Sequence, residues 1–186
     1  MKPQVVIIGL GNPGAQYART RHNAGFQAID LLSAEYGEGE WEDKQKFMCI
    51  AQEARIVTAP ALLVKPLTFM NRSGECIRKI VDFYKLDAST QILVLCDEID
   101  IVLGEIRFRE KGGPGTHNGL KSIVEQIGEG FPRMRIGVGP APKGDDLATW
   151  VLSIPSPDDE KKLQETLKTI PERVKDYVWE QIREGE

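Results

Sequence analysis

Only two histidines occur in this chain of 186 residues, and both sit in nearly the same phrase. His22 lies in "RHNAG" (21–25) and His117 in "THNGL" (116–120), each followed by an asparagine and a small residue. Asparagine is a good helix N-cap, so each imidazole is expected just before a helix start. The partial positive charge there favours the neutral ring, which accepts a proton at pH 7 as a general base must. The same helix end offers unpaired N–H groups to anions such as phosphate. Either histidine therefore qualifies as a base or a ligand holder, and a histidine that merely caps a helix carries the same signature.

A base needs an orienting partner. "CDEID" (96–100) places Asp97, Glu98 and Asp100 at the end of an apolar strand. A carboxylate on the far ring nitrogen would fix the tautomer and favour imidazolium as it forms; Asp100 equally suits capping of the next turn. No G-x-S-x-G elbow is present, which leaves water as the natural nucleophile. Asn12, Asn71 in "TFMNRSG" and Asn118 form a third recurring feature. Uncharged amides hold a water by its lone pair or donate to an ester carbonyl as it becomes an oxyanion. Each alone also serves as a cap or turn former. Two histidines with no second ligand cluster make no zinc centre, so no metal is expected. Cys49, Cys76 and Cys96 fit neither a disulfide framework nor a CxxC site and are expected as buried small hydrophobes.

The elements that must position these groups follow from periodicity. "VVIIGLG" (5–11) reads as a buried strand. Apolar residues at 26, 29, 31, 32 and 36 make a helical face over 23–37. Strands are expected at 46–54, 55–65, 91–98, 104–110 and 133–139. A helix is expected over 71–86 with Asn71 as N-cap, and another from 119 to 127. Ser156, Pro157 and the acids after them predict a capped helix over 156–168, and a last helix spans about 171–183. Interleaved strands and helices give an α/β fold: one domain over 1–186, with a central mixed, mostly parallel sheet and helices on both faces. Ligands then sit beyond the carboxyl ends of the strands. "GLGNPG" matches the dinucleotide fingerprint literally, which raises an oxidoreductase as an alternative. It fits poorly, because Asn12-Pro13-Gly14 reads as a turn and the periodic helix begins only near Asn23.

Composition is that of an ordinary globular protein, 41% hydrophobic and 28% charged, with a net charge of −4. Residues 101–143 carry seven Lys/Arg against four Asp/Glu, and 157–186 six against nine, so a basic segment could face an anionic ligand. No apolar run approaches a membrane span. "MKPQVVIIGLG" shows no signal peptide, which points to a cytoplasmic protein.

Five stretches together resemble bacterial-type peptidyl-tRNA hydrolase: "GLGNPGAQYARTRHNAGF" (9–26), "KPLTFMNRSG" (65–74), "CDEIDIVLGEIRFR" (96–109), "GTHNGLKSI" (115–123) and "RMRIGVG" (133–139). The resemblance implies hydrolysis of the ester between peptide and the 3′-terminal ribose of tRNA, with no metal or organic cofactor, by a monomer. It makes His22 the base that activates water and Asp97 the carboxylate that supports it. Asn12 becomes the residue that tells a blocked peptidyl amine from a free aminoacyl one. Asn71 and Asn118 resemble holders of substrate and water. Tyr17, Phe69 and Met70 resemble residues lining the tRNA and peptide site, and His117 looks like a binding neighbour. Arg109 and Arg135 match positions that grip phosphate at the acceptor stem. Two departures stand out. Pro114 and Thr116 occupy a loop, "KGGPGTH", where relatives often have histidine and glycine. The chain also ends on the acidic "REGE" where many relatives are basic, which would shift tRNA affinity onto Arg107, Arg109, Lys111, Arg133, Arg135 and Lys143. The family-level alternative is a non-catalytic relative of the same fold that binds RNA or protein.

Overall fold

A computed structural model describes residues 1–185. The acidic end was expected to include Glu186, which lies outside the described residues. Seven strands form one sheet in the order β2-β3-β4-β1-β5-β7-β6: β1 (Val5–Gly9), β2 (Gly37–Lys44), β3 (Cys49–Ile56), β4 (Ala59–Pro66), β5 (Ile92–Val102), β6 (Ile106–Arg109) and β7 (Arg133–Gly139). β1 pairs in parallel with β4 and β5, and β5 with β7. β2, β3 and β6 join antiparallel at the flanks. This is the expected mixed, mostly parallel α/β sheet.

Both faces are covered. Val5 and Ile7 point into one apolar cluster with α1 (Ala24–Tyr36), α6 (Pro157–Leu167) and α7 (Ile170–Glu184). Val6 and Ile8 point into the other with α2 (Ser73–Tyr84) and α4 (Asn118–Ile127). A central strand buried on both sides reads as an unbroken apolar run, which is what residues 5–8 are. All three cysteines are buried, as expected.

Several local readings need correction. The β3–β4 turn falls at Val57-Thr58, not after residue 54, and Val57 adopts φ 58. No glycine, asparagine or proline marks this turn, so the chain carries no turn signal there. β2 was not anticipated, because "GEGEWEDK" is a polar edge strand interrupted by a bulge between Glu38 and Glu42. Two short helices, α3 (Ala88–Gln91) and α5 (Leu147–Val151), are too brief to show a period. Asn71 is not the N-cap of α2; it lies in the 3₁₀ turn Met70–Arg72, and Arg72 precedes the helix. Ser156 does cap α6, its Oγ accepting from the Asp159 N–H.

"GLGNPG" serves packing and turning, not a dinucleotide. A Cβ on Gly9 would overlap the Gly25 carbonyl oxygen and Ile29, and one on Gly25 would overlap Leu95 and Leu10 backbone atoms. The two glycines let α1 lie directly on β1 and β5. The motif then runs into a 3₁₀ turn at Ala15–Tyr17, and α1 opens only at Ala24.

Candidate active site

That close approach brings His22 to the sheet. His22 occupies the 3₁₀ turn Arg21–Asn23 immediately before α1, and Asp97 lies in β5 two residues beyond Leu95. His22 Nδ1 stands 2.9 and 2.8 Å from the two Asp97 carboxylate oxygens. The two residues are separated by 75 positions in the chain. With Nδ1–H donating to the carboxylate, Nε2 is left as the basic nitrogen, which is the tautomer a general base requires.

The second imidazole meets the same carboxylate. His117 Nε2 lies 2.8 Å from Asp97 Oδ1. Its Nδ1 accepts the Leu120 N–H at 3.2 Å, so His117 itself caps α4 and Asn118 is the first helical residue. The expected asparagine cap is thus replaced by the histidine before it. Because His117 Nδ1 is an acceptor, Nε2 carries the ring proton and donates to Asp97. Both nitrogens of His117 are thereby occupied, and the ring steadies Asp97. Sequence reasoning missed this link, since nothing in "THNGL" signals a contact to residue 97.

Electrostatics follow from this sharing. Burial alone would lower the His22 pKa, but the charge and hydrogen bond of Asp97 outweigh it, and the net shift is upward from 6.5. Burial alone would raise Asp97; His22 and His117 reverse that and hold its carboxyl well below the ordinary range. The helix-end effect that favours neutral imidazole is therefore overridden at residue 22. His22, Asp97 and His117 are also the one group among the described residues with three ligand atoms within 4.8 Å of one another. A zinc ion would need each at about 2.0–2.2 Å. Here both ring nitrogens already hydrogen-bond one carboxylate, so an ion would have to displace both contacts.

The amides are ordered by a second network. Asn23, whose side chain does not cap α1, brackets the Asn12 backbone: Asn12 N–H donates to Asn23 Oδ1 and Asn23 Nδ2 donates to the Asn12 carbonyl, both at 2.9 Å. The Asn12 side chain then accepts the Met70 N–H on Oδ1 at 2.7 Å. This fixes the amide so that Nδ2 remains a donor. Met70 is buried, and its sulfur packs where a Cβ on Gly119 would otherwise stand. What it presents to Asn12 is its backbone N–H. Phe69 before it takes φ 59 and ψ 161, a conformation that costs a non-glycine residue about 1–3 kcal/mol. The ring is half exposed and packs edge-on to Tyr17 at 6.4 Å.

A cleft of ≈ 270 Å³ opens beside the imidazoles, lined by His22, Asp97, His117, Asn118, the apolar α5 residues Leu147 and Val151, and Leu152 just after α5, among others. Tyr17, Phe69 and Asn71 are not among its lining residues. A neighbouring cleft of ≈ 170 Å³ is lined by Arg109, Arg133, Arg135 and loop residues 113–115; Glu98 borders both. Arg109 is exposed and Arg135 half-buried. Arg133 is fully buried, and its guanidinium donates to the carbonyls of Phe131, Gly112, Gly113 and Glu129. It is spent on holding the "KGGPGTH" loop and is not free for phosphate, contrary to the expectation from sequence.

Known proteins match this chain over nearly its full length. A family model described as peptidyl-tRNA hydrolase matches residues 6–185. A peptidyl-tRNA hydrolase of Clostridium perfringens is 41% identical over 182 residues, which is 97% of this chain and 94% of the relative. One from Agathobacter rectalis is 44% identical over 163 residues, 87% of each chain. The crystal structure of peptidyl-tRNA hydrolase from Acinetobacter baumannii superposes with a TM-score of 0.90 at 36% identity, covering 99% of this chain and 93% of that one. A match of this extent, in sequence and in fold, places the chain in the peptidyl-tRNA hydrolase family.

Proposed function

We propose that His22 is the base in hydrolysis of the ester between a peptide and the 3′-terminal ribose of tRNA, and that the cleft beside it receives the ester. The observation that carries this reading is the His22 Nδ1–Asp97 contact, which leaves Nε2 as the basic nitrogen of a ring that lines the cleft. Water gives a proton to Nε2 as its oxygen attacks the carbonyl carbon. Asn71 and Asn118 hold water and substrate, and an amide N–H supports the oxyanion of the tetrahedral intermediate. Collapse breaks the bond to the ribose oxygen, which takes the proton back from His22. The products are a peptide carboxylate and free tRNA. No step calls on a metal or organic cofactor.

Asn12 supports selection of the substrate. Its Nδ2 is a donor by virtue of the Met70 contact, so it suits a peptide carbonyl and repels a free ammonium group, which is also a donor. Tyr17 and Phe69 flank the path of the peptide or the terminal nucleotide. Arg109 and Arg135 take phosphate of the acceptor stem, with guanidinium geometry suited to bidentate contact. The enzyme acts as a cytoplasmic monomer, one hydrolase domain over residues 1–186. No helix among the described residues is long and apolar enough to cross a membrane.

The decisive test is release of peptide from N-blocked aminoacyl-tRNA. His22→Ala is expected to lower turnover by roughly 10²–10⁴-fold while tRNA binding, read by filter retention, is kept. Unchanged turnover would remove His22 from the role of base.

A further inference from the structure

The residue just before His22 is a buried arginine, Arg21, 5% exposed. Its guanidinium carbon lies 3.5 Å above the Trp150 ring. Nη1 donates to Ser153 Oγ at 2.6 Å and Nη2 faces Asp159 at 3.7 Å. The Arg21 backbone N–H also donates to the Ser153 carbonyl. On its other side, Trp150 Nε1 donates to the Val138 carbonyl at 3.2 Å. Apart from the Asp159 contact, which reaches α6, each of these grips the five-residue helix α5 or the turn after it.

Helix α5 needs such a grip. Five residues are too few for a helix to hold itself in water, and residues 142–149 before and along it are exposed. Yet Leu147, Ala148, Val151 and Leu152 give an apolar lining to the same cleft that Asp97 and His117 line. Leu147 and Leu152 are 48% and 45% exposed, so burial of their own side chains does little to fix them.

We infer that Arg21 is a positioning residue for the reaction: it clamps Trp150 and Ser153 so that α5 stands as a wall over the ester-binding cleft, coupling that wall to the turn that carries His22. The inference rests on the hydrolase reading, and it differs from the role of Asp97, which acts on the proton. Where the wall is unclamped, only part of the population presents a complete cleft, and apparent affinity falls by that fraction. Bound substrate restores the wall, so the chemical step itself is spared.

The test compares Arg21→Gln, Arg21→Lys, Trp150→Leu and the double variant Arg21→Gln/Trp150→Leu in the full chain. Arg21→Gln is expected to raise KM about tenfold, the order of a desolvated guanidinium–aromatic contact, with kcat and the pH midpoint of the rate held near wild type. Lysine should not rescue, because it lacks the planar stack and the donor fork. The double variant should lose less than the sum of the two single losses, since both remove the guanidinium–Trp150 contact and only Arg21→Gln also removes the Ser153 bond. Amide hydrogen exchange, which needs no substrate, should speed up at 147–152 in the variants while α1 and α4 keep their protection.

Unchanged exchange at 147–152 would overturn the clamp whatever the kinetics. So would a fall in kcat with a moved pH midpoint, or additive losses in the double variant. Trp150→Leu lies outside the base turn, so it tests the same contact from the other side if Arg21→Gln folds poorly. A wild-type protein that releases no peptide while the exchange pattern still responds would refute the hydrolase reading and leave the clamp standing.

Discussion

At the scale of single residues, the site turns on one carboxylate shared between two rings. Asp97 accepts from His22 Nδ1 and from His117 Nε2, and the upward shift of His22 depends on it. A base works only when unprotonated, so kcat/KM should rise with pH through a midpoint above 6.5 and then level off. In Asp97→Asn the attraction that raises the midpoint is gone, while burial, the largest single cause and the one that lowers it, remains. The midpoint should therefore fall below that of the wild type, while the plateau drops by roughly 10²–10⁴-fold as the ring loses its fixed tautomer. A pH–rate profile of the two proteins checks this, and coincident midpoints would argue that Asp97 does not set the protonation of His22. Asn12 offers a second residue-scale test. Asn12→Asp keeps the acceptor for the Met70 N–H but turns the remaining donor into an acceptor. Hydrolysis of aminoacyl-tRNA with a free amine should then gain on the N-blocked substrate. Competition between the two substrates reads this directly, and a constant ratio would remove Asn12 from selection.

At the scale of elements, the site exists because α1 touches the sheet without an intervening side chain. Gly25 sits where a methyl group would strike the Leu10 and Leu95 backbone, and backbone cannot swing aside as a side chain would. Gly25→Ala should push α1 off β1 and β5, costing about 1–3 kcal/mol of stability and parting His22 from Asp97. Urea unfolding with a turnover assay measures both losses. Gly130→Ala is the matched control, because nothing lies within 4 Å of its added Cβ; equal stability of the two variants would refute the packing account. The same element scale shows what was legible in the chain. The central strands and long helices were visible because each repeats its own apolar period, and His22 and Asp97 were visible because one precedes α1 and the other ends the apolar run 92–96, although β5 itself continues to Val102. β2 and α5 were hidden, the one by polarity at a sheet edge, the other by brevity. The bond from His117 to Asp97 was hidden for a different reason. It depends on the start of α4 meeting β5 across 20 positions, which no local pattern encodes. Asn23 was hidden by its good credentials as a cap, which the structure spends on the Asn12 backbone.

At the scale of the whole molecule, a protein of net charge −4 must still meet a polyanion. The antiparallel pairing of β6 with β7 sets Arg107 opposite Arg135 and Arg109 opposite Arg133, four guanidinium groups on one face of a two-strand edge. They are not equivalent. Arg133 is consumed by the carbonyls of its loop, and Arg107 pairs with Glu105 at 2.9 Å. Arg109 and Arg135 line the open cleft, and Arg135 Nε is buried with no partner among the described residues. If the proposed phosphate contacts are made here, Arg109 and Arg135 are the two guanidinium groups of this face left for them, beside Glu98 and Asp100 of the same cleft. Each contact on a duplex contributes a slope of about 0.9 in log affinity against log salt. Raising monovalent salt from about 50 to 200 mM should then raise KM roughly tenfold at constant kcat. Arg109→Ala with Arg135→Ala together should flatten that dependence and raise KM at low salt. Arg133→Ala should leave the slope in place and instead loosen residues 112–113, seen as faster amide exchange there. A KM that ignores salt in the wild type, or a slope lost on removing Arg133 alone, would move the phosphate contacts away from this edge of the sheet.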